Sequence, residues 1–260
     1  MKHALRIWVG VLLVSVLGGC ALWRPVKVPM DVLREAAHCA APVDTLIVFL
    51  PGAYSLPEEF IREGIVKTLR ERRVAADAWI VDAHIGYYEQ RSIIDRLQAD
   101  VIVPAHARGY RHIWLVGVSI GGFGAMIHSL SHPGEVEGIV AIAPYLGQRA
   151  VLDEIRAAGG LRTWKAPAGE LTLEQMDRAL WRWLQGYIDG STPRPPLYLG
   201  AGRDDRFADA HALLREALPP ERAFTSPGGH DWAPWREVWR QIVPTLPWPI
   251  DASCSDRPAS

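Results

Sequence analysis

Cysteine is scarce in this chain, with three residues in 260. That excludes a scaffold held mainly by disulfides and leaves apolar packing to make the core. An excess of charge is missing too, since 28 lysines and arginines face 29 aspartates and glutamates. The bases are scattered, and Arg70-Glu71-Arg72-Arg73 reads as the solvated end of a helix, so no nucleic-acid partner is expected. The H-E-x-x-H pattern of metalloproteases is absent. His128 and His132 stand four apart without it, and Asp82 with His84 makes only a sparse pair. Neither a metal nor a cofactor is expected. The sequence holds no internal repeat, and its length suits one large α/β domain better than two.

Apolar runs give the organisation. Residues 44–50 are β-branched and apolar, bounded by Pro42 and by Pro51-Gly52, and predict a central strand. Further strands are expected at 75–81, 112–118, 138–143, 196–202 and 222–224. Helical spacing is expected at 58–72, 91–105, 121–130, 148–158, 173–189, 207–217 and from about 235. Strands alternating with helices, and apolar enough to be covered on both faces, predict an α/β fold with a mostly parallel sheet. Residues 145–195 lack strand character and read as a helical insertion over the carboxyl edge of that sheet. Residues 31–39 look like a short helix, and the last residues, 251–260, like a tail.

Within this frame one turn stands out. The strand ending at Val118 runs straight into Gly117-Val118-Ser119-Ile120-Gly121, and a helix of small residues begins at once. Glycine at 117 and 121 removes side chains that would collide at such a bend. A hydroxyl raised there lies at a helix N-terminus, where unpaired N–H groups meet a developing negative charge. Serine is a weak nucleophile unaided and needs a base. His230, in the glycine-bearing loop after the last strand, is the candidate, and a carboxylate must hold its tautomer. Gly202-Arg203-Asp204-Asp205 supplies one after the preceding strand, and spacing alone leaves Asp204 and Asp205 both open. Leu50-Pro51-Gly52-Ala53-Tyr54 follows the first strand, and its Ala53 N–H beside that of Ile120 would make two donors for an oxyanion. Asp231, next to the base, reads as a cap for the last helix.

The N-terminus carries an address. Lys2, His3 and Arg6 precede an apolar run at 7–17, then Gly18-Gly19-Cys20. A basic region, a short apolar region and small residues describe a secretory signal. The run is short for a membrane span, which leaves a single-pass anchor as the lesser alternative. Leu17-Gly18-Gly19-Cys20 resembles the lipobox of bacterial lipoproteins. That resemblance implies a signal peptide at 1–19, lipidation of Cys20 as the mature N-terminus, a tether and lead-in over 20–42, and the folded domain over 43–250. Ala21, where aspartate would imply inner-membrane retention, favours the outer membrane of a bacterial envelope. Cys39 and Cys254 remain, and an exported compartment permits them to pair without requiring it.

Taken together, Leu50–Tyr54, Gly117–Gly122, Gly202–Asp205 and Gly228–Trp232 make residues 43–245 resemble the α/β-hydrolases of the bacterial esterase and lipase kind. The resemblance implies Ser119 as nucleophile, His230 as base, and donors at Ala53 and Ile120. Counting three from Gly202 favours Asp205 as the acid over Asp204. It implies a carboxylic ester as substrate, small or lipid, and a membrane partner only through the lipid anchor; no protein partner can be inferred. One departure is the absence of the His-Gly-Gly run of hormone-sensitive-type lipases. Tyr54, Tyr87 and Tyr88 are candidate pocket residues. So are Trp164, Trp181 and Trp183 of the insertion; the last two, two apart on a helix, are expected to diverge, one inward and one to solvent or membrane. An amidase, a peptidase and an acyltransferase use the same machinery, and a hydrolase-fold lipoprotein without catalysis is the alternative of another class.

Overall fold

The computed structural model describes residues 24–169, 175–190 and 192–254. Cys20 and the expected signal peptide at 1–19 lie outside them. Seven strands form one sheet in the order β1-β3-β2-β4-β5-β6-β7. They are β1 Val32–Glu35, β2 Thr45–Leu50, β3 Asp77–Val81, β4 His112–Val118, β5 Gly138–Ile142, β6 Leu197–Gly202 and β7 Ala223–Ser226. All neighbours pair in parallel except β1, which runs antiparallel to β3. Residues 45–50, 138–142 and 197–202 are buried throughout. Their continuous apolar runs follow from having helices on both faces.

Alternation sorts the side chains. Ile139 and Ala141 of β5 face one core, with Leu97, Phe123, Met126 and Trp181, while Val140 and Ile142 face the other, with Phe60, Leu69, Trp239 and Ile242. The second core is covered by α1 Pro57–Arg62, α2 Ile65–Glu71 and α10 Trp232–Ile242. On the first face lie α3 Ile85–Glu89, α4 Ile93–Leu97, α5 Val103–Ala107 and α6 Ile120–Ser131. They are joined there by α7 Arg149–Ala157, α8 Met176–Asp189 and α9 Ala208–Arg215. Helices α7 and α8 form the insertion between β5 and β6.

Several expectations need correcting. The piece at 31–39 holds a strand, not a helix, because β3 offers it an open edge. The domain therefore begins before residue 43. The helix expected at 58–72 is two, divided at Gly64, whose φ of +74° suits glycine and ends the regular turn. That at 91–105 is α4 and α5 joined by a π-helical turn at Gln98–Ile102, just before Pro104, which has no N–H to give. The tail is held down as far as Cys254. Ala75 N–H donates to Pro249 O (2.8 Å), Asp251 N–H donates to Arg73 O (3.0 Å), and Cys254 is disulfide-bonded to Cys39 across 215 residues of sequence.

Candidate active site

Strand β4 leads into Ser119 at φ 55° and ψ −118°, a left-handed region that a side chain tolerates only where its surroundings impose it. A Cβ on Gly117 would lie 2.2 Å from Gly121 O, so the bend closes only without one. Gly121 serves a different purpose from the expected one. Its Cβ would lie 2.1 Å from Leu50 O and 2.6 Å from Pro51 O. Glycine there lets the loop after β2 press against the start of α6, and the collision is with that loop, not with the serine.

His230 is brought to Ser119 by the pairing of the last two strands. Gly202 of β6 is in register with Ser226 of β7, and Asp204 N–H donates to Gly228 O at 2.9 Å. The loops after β6 and β7 thus leave the sheet together. His230 Nε2 lies 3.0 Å from Ser119 Oγ, and Nδ1 lies 2.8 Å from Asp205 Oδ2. An ionised carboxylate only accepts, so Nδ1–H donates to it and Nε2 is left to accept the serine proton. Asp205 Oδ1 accepts from Phe207 N–H at 2.8 Å. Burial works against the charged form of Asp205, but the bonds from His230 and Phe207 N–H outweigh it and hold its carboxyl below the usual value. Asp204 is exposed, and it is Asp205 that meets His230, a choice that spacing alone leaves open.

The loop carrying Ala53 lies beside the serine, since a Cβ on Gly52 would be 3.6 Å from Ser119 Cβ. Ser55 N–H donates to Gly52 O (3.2 Å), and Ile85 N–H to Ala53 O (3.0 Å). Ile120 is the first residue of α6, so its N–H has no acceptor within the helix.

A cleft of about 240 Å³ opens next to Ile120, walled by Tyr88, Ile93, Phe123, Tyr145 and Met176. Of the aromatic residues singled out by sequence, Tyr88 lines it. Tyr54 is 69% exposed and does not line it. Tyr87 is buried, its hydroxyl exchanging hydrogen bonds with the Lys27 backbone. The expectation that one of the two tryptophans reaches solvent or membrane needs correcting, because both Trp181 and Trp183 are buried. Trp181 donates to Leu146 O (2.8 Å), and Trp183 packs edge-on to Tyr187. Trp164 is buried as well and donates to Glu154 (3.0 Å). These rings build the interior of the insertion.

Other residues near the site were not read from sequence. Phe207 and Trp235 flank the His230 ring edge-on at 5.1 and 5.0 Å, and Tyr145 N–H donates to Ser119 O at 3.0 Å. Phe207 follows Asp205 by two positions, and Trp235 follows His230 by five. Those offsets carry no signal until the loops are closed. His84 caps α3, accepting from Gly86 N–H at 3.2 Å, and Asp82 pairs with Arg24. Asp231 caps α10, accepting from Ala233 N–H at 2.9 Å.

No protein-family model matches the sequence, and no curated protein does. Solved structures do match. Est1E from Butyrivibrio proteoclasticus aligns with a TM-score of 0.58 at 15% identity, over 82% of this chain and 91% of its own. S-formylglutathione hydrolase from Staphylococcus aureus aligns with a TM-score of 0.55 at 14% identity, over 86% and 98%. A predicted hydrolase from Thermoplasma acidophilum gives 0.52 at 12%, over 84% and 100%. At such identities the likeness is one of fold, and the fold is that of the α/β-hydrolases. Sheet order, the insertion after β5 and the helices on both faces all agree with it.

Proposed function

We propose that this chain is a serine hydrolase that cleaves a carboxylic ester through an acyl-enzyme. The observation that carries the reading is the imidazole of His230, within hydrogen-bond reach of Ser119 Oγ on one side and Asp205 on the other. Ser119 Oγ attacks the acyl carbonyl and passes its proton to His230 Nε2. Asp205 holds the Nδ1–H tautomer and stabilises the imidazolium. The N–H groups of Ala53 and Ile120 receive the oxyanion, each such donor being worth roughly 3–4 kcal/mol in related chemistry. His230 then protonates the leaving alkoxide, and a water repeats the sequence to release the acid. The apolar walls beside Ile120 suit an acyl or aryl group. The proteins of like fold include, by their own names, a ferulic acid esterase and S-formylglutathione hydrolases, which is consistent with a small ester.

The test is turnover of a panel of p-nitrophenyl esters of increasing acyl length by wild type and Ser119→Ala. Hydrolysis by wild type alone is expected; equal rates for both would overturn the assignment. The reading extends to an envelope lipoprotein tethered at Cys20, with the outer membrane favoured. It is supported by the basic, apolar and small residues that precede that cysteine. Incorporation of labelled palmitate by wild type and not by Cys20→Ser is the expected result, and incorporation by neither would contradict it.

A further inference from the structure

We propose that Arg24 is a positioning residue for this reaction, fastening the loop that presents the Ala53 N–H to the oxyanion. The inference rests on the serine-hydrolase reading and adds to it a part of the chain outside the sheet. Arg24 uses both ends of its guanidinium. Nη2 donates to Ser55 O at 2.9 Å, and Nη1 makes a close ion pair with Asp82 Oδ1. The side chains are 21% and 17% exposed, so water competes poorly for either bond.

The geometry of the peptide unit explains the reach of this contact. Ala53 N–H and Gly52 C=O share one planar unit and point in opposite directions. Ser55 N–H holds Gly52 O at 3.2 Å, which fixes the direction of the Ala53 N–H. Ser55 is in turn held through its own carbonyl by Arg24. On the far side, Ile85 N–H holds Ala53 O at 3.0 Å, and Asp82 stands at the start of the same loop. Two loops, after β2 and after β3, are therefore laced by one main-chain bond and one arginine fork. Val26 packs where Gly86 leaves room, and the Lys27 backbone is bonded to the Tyr87 hydroxyl, so the segment bearing Arg24 is itself seated. A planar guanidinium serves two acceptors from two separate nitrogens held in a rigid fork, whereas an ammonium must reach both from a single nitrogen on a flexible stem.

The experiment measures kcat and KM of the full chain for a p-nitrophenyl ester, together with the inhibition constant of a trifluoromethyl ketone. That ketone adds Ser119 Oγ and places an oxyanion in the pocket. For Arg24→Ala, kcat is expected to fall about tenfold to a hundredfold with KM within about twofold. The ketone's inhibition constant should rise by the same factor as kcat/KM falls. Arg24→Lys and Asp82→Asn should lie between that variant and wild type, and Lys27→Ala, whose ammonium pairs with the exposed Asp31, should match wild type. Should Arg24→Ala fail to fold, Arg24→Lys decides on the same two readouts. Wild-type kcat in the arginine variants, or a fall in kcat that ketone affinity does not follow, overturns the clamp and leaves the hydrolase standing. Absence of both turnover and ketone binding in wild type overturns the hydrolase reading, and the clamp with it.

Discussion

The bend at Ser119 and the insertion between β5 and β6 are both dense with unusual residues, yet they spend them differently. Around Ser119 the backbone itself is constrained. Two glycines stand where a Cβ would come within about 2.2 Å of main-chain atoms, and a serine is held at positive φ. In the insertion the side chains are constrained: Trp164, Trp181 and Trp183 are buried and tied to one another's surroundings. The first arrangement holds one hydroxyl on a strained backbone, which the proposed reaction would use to aim it. The second gathers apolar area and hydrogen bonds that hold a lobe together. On the proposed reading, chemistry and stability fall to separate regions, and that separation can be attacked by mutation.

The largest effect is expected from Ser119→Ala. Turnover should fall by at least about 10⁴-fold, while the melting temperature, read by circular dichroism, stays at or above that of wild type because strain at 119 is not worsened. A large loss of stability would mean that the bend also holds the fold. Next comes the acid. Asp205→Asn should cost about 10³- to 10⁴-fold in kcat, whereas Asp204→Asn, exposed beside it, should leave kcat unchanged. The reverse pattern would sink the assignment of Asp205.

The insertion should respond the other way. Trp181→Ala removes a fully buried ring and its bond to Leu146 O, and should destabilise by about 3–5 kcal/mol in urea titration. Its kcat below the melting transition should fall far less than that of Asp205→Asn. If kcat falls as steeply, the insertion is part of the site and the contrast fails.

The smallest effect sharpens the comparison inside one helix. His128 lies toward the far end of α6 from Ser119, fully buried, with Nε2 bonded to Gln98 Oε1 at 2.9 Å. Burial, then the neighbouring His132, pushes it down to about 3. The unfolded chain takes up this proton near the ordinary histidine value of about 6.5, and the folded chain does not until about 3. Stability must therefore fall as pH drops through that window, by up to about 1.4 kcal/mol per pH unit from this residue. His128→Gln keeps a donor for Gln98 and should flatten the slope between pH 6.5 and 4 without altering kcat at pH 8. An unchanged slope would remove His128 from the account.

The same contrast explains what could be read in advance. The bend at Ser119 is a local pattern: Gly117 is required by Gly121 O four positions on, so the motif stands out from spacing, whereas the closer reason for Gly121 lies in Leu50 and Pro51 and is not local. The strands were legible because a parallel sheet covered on both faces leaves unbroken apolar runs. β1 was misread as helix because Val-Leu-Arg-Glu has no such run, and only the free edge of β3 makes it a strand. Asp204 and Asp205 could not be separated because the choice is made by Gly228 O, 24 positions after Asp204, which accepts the Asp204 N–H. The directions of Trp181 and Trp183 depend on what α8 packs against, and helical spacing alone could not supply that. Arg24 was invisible for the strongest form of this reason. Its partners lie 31 and 58 positions away, and no pattern in its own neighbourhood marks it.

The central claim is that one hydroxyl, on the bend after β4, is made nucleophilic by the imidazole 111 positions further on. The most direct test treats the folded protein with a fluorophosphonate and maps the adduct by peptide mass spectrometry. The account predicts a single adduct on Ser119, formed at a rate that collapses in His230→Gln. Modification of another residue in its place, or labelling of Ser119 that proceeds equally fast without His230, would contradict it.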